Sequence, residues 1–112
     1  MNAKEFARLV ARDRYCLHCG ETEALAPNHR ANRGMGGSKV RDVPSNQVLL
    51  CSVFNGQIEA DPRAARLATK YGWKVSTHAN WREIPVFDTL TGEWHLLDDN
   101  FGYKVVMQEG VS

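Results

Sequence analysis

The chain lacks any uninterrupted apolar stretch near the ~18 residues that a membrane-crossing helix requires, so no such helix is expected. It also lacks the continuous apolar region of a secretory leader. Its first residues, MNAKEFARLVARDRY, mix charged and apolar side chains, and a cytoplasmic protein is expected. Cysteine is scarce and odd in number, three residues in all, which is not the even set of a disulfide framework. Internal repeats and low-complexity segments are absent. A phosphate-binding P-loop is excluded as well: RGMGGSK has glycines and a lysine, but the Lys follows the Ser instead of preceding it.

What is there is an ordinary globular composition, 43% hydrophobic and 24% charged, which over 112 residues supports one domain with a modest core. Net charge is only +1, yet the charges are unevenly spread. Residues 1–50 carry eight Lys and Arg against five Asp and Glu, whereas residues 51–112 carry six against eight. Arg30, Arg33, Lys39 and Arg41 form a basic run free of acids. A local patch of this kind binds phosphate through its own field, whatever the net charge. Glu83, Asp88, Glu93, Asp98 and Asp99 share their stretch with Arg82 as its one cation, and this acidic segment is expected on the far side from any phosphate backbone.

Phe6, Leu9 and Val10 fall on one face of a helix predicted over Ala3–Arg12. Cys16 and Cys19 follow in CLHCG, a spacing that indicates a metal knuckle or a redox pair. The helical segment upstream and the immediate Gly20 suit a knuckle turn better. ALAPNH reads as extended, because Pro27 biases Ala26 away from helix. Residues 30–46, with Gly34, Gly36, Gly37 and Pro44, form a long loop, and QVLLC is an apolar run that re-enters the core. From Phe54 to Tyr71 the pattern is helical, broken where Asp61 offers an N-cap and Pro62 a first-turn residue. Ile58, Ala64, Ala65, Leu67 and Ala68 supply its buried face. Gly72 ends the helix, WKVS predicts a strand, IPVFDTLTGEWHLLDD two strands around a Thr-Gly turn, and FGYKVV a last strand. The class is small α+β.

Taken in order, CLHCG, PNHR, RGMGGS, SNQVLLC, NGQIE and GWKV resemble the small HNH endonucleases of bacteriophages. PVFDTLTGEWHLLDD resembles the hairpin that closes those proteins, so the likeness covers most of the chain. It implies a single HNH-like domain over 1–112, with an N-terminal helix and a Cys knuckle over about 14–24. A ββα-metal motif over about 24–71 and a C-terminal β-hairpin, with strands over about 73–107, would complete it. The function implied is cutting or nicking of double-stranded DNA by phosphodiester hydrolysis, in the cytoplasm of an infected bacterial host. His29 matches the general base and Asn46 the residue that supports and orients it. Asn28 and Asn55 match the ligands of a catalytic Mg²⁺ or Mn²⁺, and Arg30, Arg33, Lys39 and Arg41 would contact phosphates.

The chain departs from that pattern in its metal ligands. Asn28 stands where family members carry His or Asp, and with Asn55 as the other ligand the divalent cation is expected to bind weakly. The structural zinc of the family would rest on Cys16, Cys19 and Cys51, but its fourth thiolate is replaced by Phe54. His18 is close in sequence but is read as poorly aimed. Loss of zinc is therefore expected, with Phe54 packed in its place and the three cysteines as buried thiols. A catalytically silent relative that binds DNA, or a host or phage protein, is the alternative function. A purely structural zinc-knuckle module is disfavoured by the missing ligand.

Overall fold

The computed structural model describes residues 1–32 and 40–107. Helix α1, Ala3–Asp13, opens on a capping box: the Asn2 side chain accepts from the Glu5 amide (2.8 Å), and the Glu5 carboxylate accepts from the Asn2 amide (3.3 Å). Leu9 is buried on the expected face, but so is an ion pair that no apolar pattern signals. Arg12 and Asp13 lie 2.7 Å apart; Arg12 donates to the carbonyls of Pro44 and Gln47, and Asp13 accepts from the Leu49 amide at 2.9 Å. Buried charges persist where they are paired and hydrogen-bonded, and this pair fastens α1 to the strand beneath it.

That strand belongs to an antiparallel hairpin. β1, Leu25–His29, pairs with β2, Gln47–Cys51, so that Leu25 lies opposite Cys51 and His29 opposite Gln47. β2 is buried along its whole length, as its continuous apolar run requires. It passes directly into α2, Ser52–Ala60, where the Cys51 sulfur caps the helix by accepting from the Phe54 amide at 3.4 Å. The helix thus starts slightly before the expected Phe54. The break at Asp61–Pro62 is present: Asp61 accepts from the Arg63 amide at 2.9 Å and opens α3, Pro62–Lys70. Ala68 is fully buried, and Ile58, Ala64 and Leu67 pack partly buried against the core that includes Leu50, Phe54 and Trp73.

Gly72 ends the helical pair with φ +77°, and a Cβ at this position would sit 2.0 Å from the Pro85 carbonyl oxygen. Only glycine allows so close an approach. The predicted strand at WKVS is not formed. The Trp73 side chain turns into the core and donates its indole N–H to the Phe87 carbonyl (2.8 Å), while the Val75 amide donates to the Arg30 carbonyl (3.0 Å). Single bonds to different partners hold this segment, so it has no ladder to join. β3, Val86–Asp88, β4, Glu93–Leu97, and β5, Tyr103–Val106, then form an antiparallel sheet in that order, one strand more than a closing hairpin. Among the described residues the architecture is α+β, three α-helices with two small antiparallel sheets. No helix among them is long and apolar enough to cross a membrane.

Candidate functional site

His29 closes β1, half exposed, with its Nε2 3.2 Å from Oδ1 of Asp42. Asp42 carries no motif and was not foreseen. Asn46 is fully buried and makes no hydrogen bond to the His29 ring among the described residues. Its side chain accepts from the Ala31 amide (2.8 Å) and donates to the carbonyls of Ala31 (3.0 Å) and Arg41 (2.8 Å). Its own carbonyl accepts from the Arg30 amide at 2.8 Å. Asn46 therefore fixes the chain just beyond His29 and just before Asp42.

The basic run divides. Arg30 was expected at a phosphate, and the structure overturns this, because its side chain is fully buried. Its Nε donates to Gly72 O (2.7 Å), Nη1 to Ser45 O (3.1 Å) and Trp81 O (2.9 Å), and Nη2 to Ile84 O (2.6 Å). Burial, with the charge of Arg12 adding to it and Asp13 opposing, pushes its pKa down to about 9, so the guanidinium is still charged at neutral pH. Arg41 is half-buried and donates to the Thr77 carbonyl at 2.9 Å. Arg33 and Lys39 lie outside the described residues. The acidic segment is not wholly remote either: Asp99 accepts from the Ser45 hydroxyl, beside Asn46, and from Arg82.

The expected metal donors are less closely gathered. Asn28 is buried and its amide nitrogen donates to the Ala26 carbonyl (3.1 Å), so its oxygen is the atom left to serve as a ligand. Asn55 sits half-buried early in α2. No side-chain hydrogen bond joins Asn28, His29 and Asn55 among the described residues. Two charged groups outside the motif lie nearby: Lys74, which bonds the His29 backbone, and Glu59, whose charge acts on Lys74. Glu59 lies one turn beyond Asn55 on the same face of α2. With Asn32 and Lys74 it lines a cleft of about 280 Å³. Lys74 donates to the His29 carbonyl at 2.8 Å; burial lowers its pKa and the charge of Glu59 opposes this.

The cysteines lie at the other end of the hairpin. The knuckle turns through Gly20, whose amide donates to Cys16 O (2.8 Å), while the Cys16 amide donates to Glu21 O (2.9 Å). Cys16 and Cys51 are buried, but Cys19 is exposed, so the expectation of three buried thiols is corrected. The Sγ atoms of Cys19 and Cys51 are 3.7 Å apart. A ring nitrogen of His18 lies within 4.8 Å of both Cys16 Sγ and Cys19 Sγ, so this group could hold a metal ion, and the reading of His18 as poorly aimed is overturned. Phe54 packs against the His18 imidazole: the two rings stack at 3.7 Å with an interplanar angle of 11°. Burial lowers the His18 pKa and favours the neutral, ligating form. Burial, and then the Cys16 and Cys51 thiols, push the Cys19 thiol up to about 11 against a backbone contact from Glu21. Burial also pushes the Cys51 thiol up, but the Phe54 amide and the two other thiols outweigh it and the net shift is downward.

Comparison of the chain with family models, with curated proteins and with solved structures gives no match.

Proposed function

We propose that the chain is a metal-dependent DNA endonuclease or nickase of the HNH type, of phage origin, with His29 as its general base. The observation that carries this reading is the pairing of His29 with Asp42 at 3.2 Å, at the end of the first strand of a β–β–α sequence. An imidazole with one nitrogen held by a carboxylate has the other available to take a proton from water. Asp42 fixes the tautomer and stabilises the imidazolium as it forms. The oxygen of that water makes the new bond to phosphorus, the bond to the sugar oxygen breaks, and the departing oxygen takes a proton from solvent. Arg41 and Lys74 contribute positive charge on the side where the double-stranded substrate would lie.

Asn28 and Asn55 offer amide oxygens and Glu59 a carboxylate, a hard donor set that suits Mg²⁺ or Mn²⁺. A cation held there would draw charge from the scissile phosphate. A second reading, binding of DNA or of a host or phage protein without cleavage, is favoured by the neutral, backbone-bonded amide at Asn28.

Nicking of supercoiled plasmid across a screen of divalent metals tests the reading. Cleavage with Mg²⁺ or Mn²⁺, abolished in His29→Ala while the melting curve is kept, is the expected outcome. Failure to cleave with any metal in the screen would overturn the endonuclease reading, and salt-dependent DNA binding that survives His29→Ala would then favour the binding reading.

A further inference from the structure

We infer that His18 supplies the fourth ligand of a closed zinc site with Cys16, Cys19 and Cys51, and that Phe54, instead of replacing the metal, is the wall that holds the His18 ring in place. The expected loss of zinc rested on counting thiolates along the sequence. In space, the count is different.

Three observations carry the inference. The first is an unsatisfied atom. Nδ1 of His18 is buried and has no hydrogen-bond partner among the described residues. A buried polar nitrogen without a partner is costly, and a metal ion is one partner that removes the cost. The second is spacing. A ring nitrogen of His18 lies within 4.8 Å of the sulfurs of Cys16 and Cys19. Cys51 is not one of that group of three mutually close donors, but its sulfur stands 3.7 Å from that of Cys19. Sulfurs bound to one tetrahedral zinc at about 2.3 Å are separated by about 3.8 Å, so the Cys19–Cys51 separation is close to that of two thiolates sharing a zinc. The third is the fixing of the ring. His18 is stacked on Phe54 at 3.7 Å and meets the edge of Trp73 at 5.6 Å, which restricts its rotation toward solvent.

Three thiolates and one imidazole make a known type of closed structural zinc set. Zinc would displace the thiol protons to solvent as it binds. A cleft of about 430 Å³, bordered by His18, Cys19, Cys51 and Gln57, opens on three of these four ligands and gives the ion a way in. Because Cys51 is also the cap of α2, the same ion would join the knuckle, the end of β2 and the start of the helix. The proposal stands on this geometry whether or not the chain cleaves DNA.

The test is metal content followed by cobalt spectroscopy. Purified wild-type protein is expected to carry about one zinc per chain. The stripped protein titrated with Co²⁺ is expected to show thiolate-to-metal charge transfer together with the strong visible bands of tetrahedral cobalt. His18→Ala should keep the charge transfer, weaken and shift the visible bands, and lower metal affinity about tenfold or more. Phe54→Leu keeps all four ligands and gives a second reading if His18→Ala does not fold. It should still bind cobalt, with affinity lowered severalfold. A wild-type chain that takes up neither zinc nor cobalt overturns the site. An unchanged spectrum and affinity in His18→Ala overturns the role of His18, and unchanged affinity in Phe54→Leu overturns that of Phe54.

Discussion

The imidazole of His29 stands 3.2 Å from the carboxylate of Asp42, its partner from the far side of the glycine-rich segment. If this pair acts as base and orienter, removing the charge should slow cleavage without loosening the fold. Asp42→Asn is expected to lower the nicking rate by about tenfold to a hundredfold, and His29→Ala by about 10²–10⁴-fold. Rates measured under single-turnover conditions check this, and an Asp42→Asn rate equal to wild type separates Asp42 from the reaction.

Arg30 belongs to the fold and not to the substrate. Removing it leaves the carbonyls of Ser45, Gly72, Trp81 and Ile84 without their common donor. Arg30→Met is expected to destabilise the domain by about 3–5 kcal/mol, read from urea unfolding. Arg30→Lys should recover little of this, because one ammonium cannot reproduce the planar fork that reaches all of these acceptors. Retained stability in Arg30→Met would return the residue to the surface.

Tyr15 and Asp88 set an alkaline limit on stability. The Tyr15 hydroxyl donates to the buried Asp88 carboxylate at 2.7 Å, and Tyr15→Phe is expected to cost about 1–3 kcal/mol. Burial, and then the contact with Asp88, raise the Tyr15 pKa from 10.0 to about 12. The folded value lies above the unfolded one, so the contribution is complete below pH 10 and disappears as pH rises through about 12. Melting temperatures of wild type and Tyr15→Phe, compared from neutral pH upward, should converge across that window.

Asp99 behaves in the opposite sense. Burial works against its charge, but hydrogen bonds from Ser45 and Arg82 outweigh this and hold its pKa below the ordinary 3.8. Its contribution is present above that value and fades as pH falls through the lowered one. The Asp99 side chain is 40% exposed, so Asp99→Asn should cost no more than about 1 kcal/mol at neutral pH. The difference from wild type should close in acid; a constant difference would place the effect in packing and not in charge.

The elements visible in the sequence are those with local causes. The helix break at Asp61–Pro62 comes from a cap and a proline that act within one turn, and QVLLC forms a buried strand because its own side chains are apolar. WKVS has a strand's composition, yet a strand also needs a partner edge, and Trp73 and Val75 bond to unrelated segments. Arg30 was misplaced because nothing near it in sequence announces the carbonyls that receive it. Of the candidate site, His29 and Asn46 were legible as residues, but Asp42, Glu59 and Lys74 reach the neighbourhood only through folding. His18 was visible and misjudged, since its aim depends on stacking against a ring from α2.

Asn46 grips Ala31 and Arg41 with one amide group. The residues that join Asn32 to Val40 therefore leave and return at two anchored points, whatever their own sequence. The hairpin is thus closed by contacts that lie outside that segment. The hairpin acts as a socket. Its fold is set by contacts outside the segment it carries.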